Sequence, residues 1–321
     1  MTVSRVVNQS PTVSDDTRKK VLAAIRELGY VPNLAAQRLA AVATIRLGLL
    51  FRSNTAPYLN SFLLGALEEC ATKGHELVVQ DCGASADDEC AALNRLVESG
   101  VTGVVLPPPL GETGTLVSKA KKAGIIVVVS GVSCSELPSV QIDDHEAARE
   151  MTNYLLSLGH RRIGFIEGPP EHTVSARRLR GFVQALREAG LDPKDAGLVE
   201  TGRFCYRSGL AAAGRLLQRK RRPTAIFAAN DDMAAAVLAT AQRLSIPVPA
   251  ELSVAGFDDS LIAAAMWPPL TTVQQPIRDM GRNSIRLLLQ ELMLGTKRGR
   301  RRPPTTLLRH TLIRRGSTTP R

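Results

Sequence analysis

From residue 45 onward the chain alternates between short, almost uninterrupted apolar runs and longer stretches whose apolar residues recur every three to four positions. Ile45–Phe51 reads as a buried strand. Tyr58–Lys73 reads as a helix, with Leu59, Phe62, Leu63, Ala66, Leu67 and Cys70 on one face. Leu77–Gln80, Gly103–Leu106 and Ile125–Val129 are predicted strands, with helices near 88–98 and 113–123 between them. A second series follows: helix 145–158 ending at Gly159, strand Arg162–Ile166, and helix 175–189 ending at Gly190. Helix 207–218, strand Ala225–Ala229, helix 231–243 and strand Leu252–Ala255 complete it. Strands without polar alternation are expected where helices cover both faces of a parallel sheet. Two such series predict an α/β chain with two similar lobes and a cleft between them. Ligands of open parallel sheets sit at the carboxyl ends of the strands, which here means inside that cleft.

The first 44 residues follow a different pattern. Residues 2–9 and 15–28 each read as a short helix, with Ser14 placed as a cap before Asp15-Asp16. Val3 and Val7 on the first are placed to face Val21, Ile25 and Leu28 on the second. Pro32 breaks the chain, and Asn33 is placed to cap a short helix through Ala41.

Composition narrows the class. The chain has 321 residues, 44% of them hydrophobic and 22% charged, enough for two lobes and a small appendage. No apolar run approaches the roughly 18–20 residues needed to span a bilayer, and no signal pattern opens the chain. Cys70, Cys82, Cys90, Cys134 and Cys205 form no C-x-x-C pair, which predicts reduced thiols in the cytoplasm. The net charge of +11 divides as +4 over residues 1–50, +9 over residues 297–321, and −2 over the body between them. A near-neutral body with basic ends is compatible with a polyanion partner at one end. The Lys297–Arg302 run alone is weak evidence for such a partner, because runs of this kind are usually solvated loops.

No P-loop, nucleophile elbow, dinucleotide fingerprint or zinc-protease motif is present. The five histidines lack metal-ligand spacing, and neither a metal nor a cofactor is expected. Asp143-Asp144, Asp231-Asp232 and Asp258-Asp259 are tempting carboxylate pairs. Adjacent acids near strand ends are more often caps and hydrogen-bond acceptors, so the chain is not expected to be an enzyme.

Two N-terminal blocks carry a more specific chemistry. Thr2 and Ser4 in Met-Thr-Val-Ser-Arg-Val-Val-Asn are short hydroxyl donors suited to phosphate oxygens. Arg5 is suited to a bidentate pair with guanine, and Asn8 and Asn33 add polar contacts. The first block alone reads equally well as a surface helix rich in small polar residues. In Tyr30-Val-Pro-Asn-Leu-Ala-Ala-Gln-Arg-Leu39, Ala35 and Ala36 let two symmetry-related helices approach, and Leu39 forms an apolar wedge suited to the minor groove.

Together the blocks resemble the DNA-reading helix and hinge helix of the lactose-repressor (LacI/GalR) family. Gly159–Gly168, Arg178–Phe182, Ala229–Asp231, Ser253–Asp259, Pro269–Gln275 and Leu312–Ser317 are also similar to that family's motifs, in the same order. The resemblance implies a partial all-α helix-turn-helix head and hinge helix over 1–44. A two-lobed periplasmic-binding-protein-like (type I) effector and dimerisation domain would follow over 45–321. Lobe 1 is expected at about 45–143 plus 275–304, and lobe 2 at 144–274 plus 305–321. It implies operator DNA bound by Thr2, Val3, Ser4, Arg5, Asn8, Tyr30, Asn33, Ala36 and Leu39. A small sugar-like effector would be bound between the lobes by Arg178, Phe204, Asn230, Asp258 and Gln275. In that reading Arg178 donates to hydroxyls, Asn230 and Asp258 hydrogen-bond the ligand, Phe204 stacks on its apolar face and Gln275 lines the cleft.

The family's opening helix and turn are absent, so the expectation is a start set late, within the reading helix. The basic end Arg314–Arg321 lacks apolar heptads, which predicts a homodimer rather than a helical tetramer. The expected function is a cytoplasmic transcriptional repressor under effector control. The rival class is a cytoplasmic sugar sensor with little or no DNA binding, and a sugar-handling enzyme on the same scaffold stands behind both.

Overall fold

A computed structural model describes residues 44–52, 56–83, 85–132, 136–294 and 302–321, together with Thr17. The expected DNA contacts at Thr2, Val3, Ser4, Arg5, Asn8, Tyr30, Asn33, Ala36 and Leu39 lie outside the described residues. The chain divides into two compact units, Met1–Thr44 and Ile45–Arg321, and the following concerns the second.

Its first sheet contains β1 (Arg46–Phe51), β2 (Glu76–Asp81), β3 (Gly103–Leu106), β4 (Ile126–Ser130) and β5 (Ser139–Gln141). Helices α1 (Ala56–Lys73), α2 (Ala86–Glu98) and α3 (Gly114–Lys122) connect them. The second lobe runs α4 (Asp144–Ser157), β6 (Ile163–Glu167), α5 (Thr173–Glu188), α6 (Pro193–Ala196), β7 (Gly197–Thr201), α7 (Tyr206–Leu217) and β8 (Ala225–Ala228). It continues through α8 (Asp231–Arg243), β9 (Ser253–Asp258), α9 (Leu261–Ala265) and β10 (Thr271–Gln274). Then α10 (Ile277–Leu294), β11 (Thr305–Leu307) and β12 (Thr311–Ile313) follow.

The sheet orders are β11-β5-β4-β3-β1-β2 and β12-β10-β9-β8-β6-β7. Every pairing is parallel except that of β12 with β10. One expectation is corrected here. The stretch from residue 305 does not begin in the second lobe, because Thr305–Leu307 pairs with Ser139–Gln141 in the first sheet. The chain returns only after Leu307, to place β12 beside β10. Three strands therefore cross between the lobes, and the crossings lie together: Leu308 N donates to Gln141 O at 2.8 Å.

The apolar runs are continuous because both strand faces are covered. Leu47 and Leu49 of β1 join one core cluster and Leu50 joins another. Val105 and Val128 likewise face away from Val104, Leu106, Val127 and Val129, the period-two alternation of a strand buried on both sides. In the second lobe Phe165 stacks on Phe182 at 4.9 Å and meets the edge of Phe227 at 5.3 Å. No helix among the described residues is long and apolar enough to cross a membrane.

On the first lobe α1 and α10 pack backbone to backbone. A Cβ on Gly65 would stand 1.8 Å from Arg278 O, and one on Gly281 would stand 2.1 Å from Phe62 O. Ion pairs from Glu68 to Arg278 and Arg282, and from Glu69 to Arg286, border this crossing. Replacing Gly281 by Ala forces the helices apart, and overpacking of this kind costs about 1–3 kcal/mol. Urea unfolding of Gly281→Ala should show a loss of that size, whereas Gly214→Ala, whose Cβ would meet open space, should leave stability unchanged or slightly raised.

Candidate functional site

The parallel strands aim their carboxyl ends at one cleft. Pro108 and Pro109 follow β3, Gly131 follows β4, Asn230 follows β8, Asp258 ends β9 and Gln275 follows β10. With Tyr58, Asp144, His172, Val174, Arg178, Phe204, Asp232 and Ser260 they line one cavity between the lobes, the usual place for a small-molecule site in this architecture. All five residues expected to hold an effector, Arg178, Phe204, Asn230, Asp258 and Gln275, line it.

Arg178 is the hub. It sits on α5, only 5% exposed, so its charge must be met locally. Its Nε donates to Asp144 Oδ1 at 2.8 Å and its Nη1 to Ala229 O at 2.6 Å. Asp258 Oδ1 lies 4.0 Å from the same Nη1, and the guanidinium lies 3.6 Å from the centroid of the Phe257 ring, a cation–π contact. Two of its five N–H donors are therefore held by the protein, and the side chain also lines the cavity.

Phe204 stands on a backbone with φ 54°, and its ring lies flat over Gly168: a Cβ there would stand 2.1 Å from its Cζ. The His172 ring lies 6.0 Å from it, at 26°. Asn230 has a more structural part than a ligand contact alone would give it. Its Oδ1 caps α8 by accepting from Met233 N at 3.0 Å, and its Nδ2 donates to Phe204 O at 3.1 Å. The amide fixes the loop that carries the ring. Gln275 Nε2 donates to Asp258 Oδ1 at 2.7 Å.

The acidic doublets divide their labour. Asp143 caps α4 through Glu146 N, whereas Asp144 turns inward to Arg178. Asp231 is buried and accepts from Ser260 N (2.7 Å), Ser260 Oγ (3.0 Å) and Thr272 Oγ1 (2.6 Å), while Asp232 lines the cavity. Asp258 lines the cavity, and Asp259 binds Arg315 at 2.6 Å and Gln274 at 2.8 Å. Burial, against the opposing pull of Arg178, pushes Asp258 up to about 6. Burial also raises Asp144, Asp231 and Asp232, and the Asp258 charge raises Asp231 further. Burial lowers His172, which favours its neutral form.

At the mouth the lobes touch through a charge-assisted cap. Glu112 of the first lobe accepts from Thr173 N at 2.9 and 3.2 Å and from Thr173 Oγ1 at 2.8 Å. Thr173 opens α5, so a carboxylate of one lobe meets the exposed amides and positive dipole end of the other lobe's helix.

With this geometry in view, the comparisons are specific. Residues 1–33 match the lacI family of bacterial regulatory proteins, and residues 152–318 match the periplasmic binding protein-like domain. Catabolite control protein A of Priestia megaterium is 35% identical over 291 residues, 89% of this chain and 87% of that protein. The chain belongs to the LacI family. Two solved structures superpose with TM-scores of 0.77. One is a complex of the transcriptional regulator CelR with cellobiose, 33% identical, covering 98% of this chain and 94% of that one. The other is the Lac repressor dimer bound to operator and the anti-inducer ONPF, 28% identical over 99% of this chain and 94% of that one.

Two measurements test the electrostatics. Losing a helix cap costs about 0.5–2 kcal/mol, so Glu112→Ala should speed amide exchange at the start of α5 several-fold while leaving the far end of that helix unchanged. For Asp258, a folded value raised from 3.8 to about 6 means that the folded chain holds the proton more tightly than the unfolded chain. Stability is therefore lost as pH rises through that window. Asp258→Asn removes this term, and its melting temperature should fall less between pH 4 and pH 7 than that of the parent chain.

Proposed function

We propose that this LacI-family chain is a DNA-binding transcriptional repressor whose operator affinity is set by a small saccharide held between its two lobes. The observation that carries the reading is the cavity at the carboxyl ends of both sheets. There a guanidinium, carboxylates and an amide line the same space as the Phe204 ring. A polyol needs this combination. Its hydroxyls donate to carboxylates and accept from a guanidinium, and its apolar ring face lies against an aromatic side chain. CelR, solved as a complex with cellobiose, supports a saccharide as the ligand.

The operator contacts proposed are Thr2, Val3, Ser4, Arg5, Asn8, Tyr30, Asn33, Ala36 and Leu39, all but the last two within the stretch that matches the lacI family. The Lac repressor structure, a dimer on operator, supports a homodimer on DNA. In the proposed mechanism the saccharide bridges residues of both lobes and favours the closed cleft. The change in lobe angle then alters the spacing of the paired heads. A shift of this kind needs a differential affinity of a few kcal/mol between open and closed states. The relatives are regulators rather than enzymes, and the chemistry proposed for the cleft is binding alone.

Fluorescence anisotropy with DNA from upstream of the chain's own gene tests the reading. Salt-sensitive binding should change at least tenfold on addition of the matching saccharide. Arg178→Lys keeps the charge but loses the fork, so it should retain DNA binding and lose the saccharide response. DNA binding that no saccharide alters would refute the proposed control, and absence of sequence-preferring binding would refute the proposed repressor.

A further inference from the structure

The charges around the cavity do not balance. Three carboxylates line it, Asp144, Asp232 and Asp258, against one guanidinium, Arg178. Asp144 is committed to Arg178 at 2.8 Å. Asp258 stands 4.0 Å from that same cation and accepts one hydrogen bond, from Gln275. Asp232 has neither a hydrogen-bond partner nor an ion-pair partner among the described residues. Its place in the first turn of α8 directs it into the cavity rather than toward a basic side chain.

The other polar groups do not supply the missing positive charge. Burial favours the neutral form of His172. Near His172, Arg52 is ion-paired with Glu89, and Arg203 is not among the residues lining the cavity. A further observation also points to a ligand. The Tyr58 hydroxyl is shut off from solvent and lines the cavity beside Ser130. A wall of unfilled acceptors with excess negative charge suits a donor-rich, uncharged molecule and repels an anion.

We propose that the effector is a neutral, unphosphorylated saccharide, and that Asp232 is the residue that excludes phosphorylated sugars by holding an unpaired carboxylate at the cavity wall. This rests on the reading of the cavity as the effector site. It adds a selection rule that the shape of the cleft does not impose. The rule acts through charge, because the carboxylates stand at the wall of the space the ligand enters. A phosphate placed near Asp232 and Asp258 meets two carboxylates, while the one guanidinium lining the cavity, Arg178, is already paired with Asp144, in a space of reduced dielectric where repulsion is weakly screened.

Isothermal titration calorimetry of the whole chain tests the rule. The probes are neutral mono- and disaccharides, cellobiose among them, each run beside its 6-phosphate. The parent chain should bind the best neutral sugar at least tenfold more tightly than its phosphate. Asp232→Asn should narrow that ratio, and Asp232→Lys should narrow it further or reverse it. Melting curves of both variants confirm folding, and Asp232 is partly exposed, so the asparagine in particular fits without repacking.

A parent chain that prefers the phosphate, or a ratio unmoved in both folded variants, overturns the charge rule while the saccharide site stands. Failure of every saccharide to bind overturns the effector reading and the charge rule with it.

Discussion

A single buried guanidinium organises the second lobe. Arg178 is almost fully withdrawn from water, and a charge in that position is tolerated only where acceptors replace its hydration. The acceptors come from the start of α4, from the loop after β8 and, at longer range, from the end of β9. Satisfying one side chain on α5 therefore fixes three other elements against it. The start of α4 follows directly on a crossing from the first lobe, so the same ion pair also links the cavity floor to the hinge. Removing either partner leaves the other charge buried, a loss typically of about 3–5 kcal/mol.

Around this hub the backbone is strained, and each strained point is braced. Phe204, Asp258 and Asp259 have φ of 54°, 111° and 55°, regions that cost about 1–3 kcal/mol for a residue with a side chain. Asn230 holds the Phe204 carbonyl, Gln275 holds the Asp258 carboxylate, and Arg315 with Gln274 holds Asp259. Asp231 ties the following residue, Ser260, to α8 and to β10. The aromatic wall and the acceptor wall are thus set before any ligand arrives, which lowers the ordering cost of binding. Glu112 joins the first lobe to this frame by capping the helix that carries Arg178, so opening the cleft exposes helix amides as well as cavity walls.

Much of the architecture could be read from hydrophobic pattern because it is enforced by burial on both strand faces. β3 was legible to the residue, and most helices to within one or two. The strand expected at Leu252–Ala255 extends to Asp258, and that extension is what delivers the carboxylate to the cleft. β5, β11 and β12 have three residues each, too few for a periodic signal. Helix α10 escaped notice although Ile277, Met280, Ile285 and Leu288 recur at helical spacing on its buried face; Arg278, Arg282 and Arg286 lie on the other side, paired with acids of α1. The five cleft residues named from family motifs came together. Glu112 did not, because its partner lies 61 residues away and neither residue belongs to a local pattern.

The acidic doublets show why motif and ligand are separate questions. Asp231 and Asp232 occupy the first turn of α8, where the helix dipole favours negative charge. An acid there is stabilised by the fold whether or not a ligand exists, so sequence pattern alone assigns both to structure. Geometry separates them. Asp231 turns into the protein and accepts three hydrogen bonds, which makes it a brace. Asp232, one residue on and rotated about 100° around the helix, lines the cavity and has no hydrogen-bond or ion-pair partner among the described residues. The helix terminus that supports the scaffold thereby also sets the sign of the potential a ligand encounters. In the proposed reading, the lobes, the aromatic platform and the buried guanidinium select a small polyhydroxylated molecule, and the carboxylate beside them selects its charge.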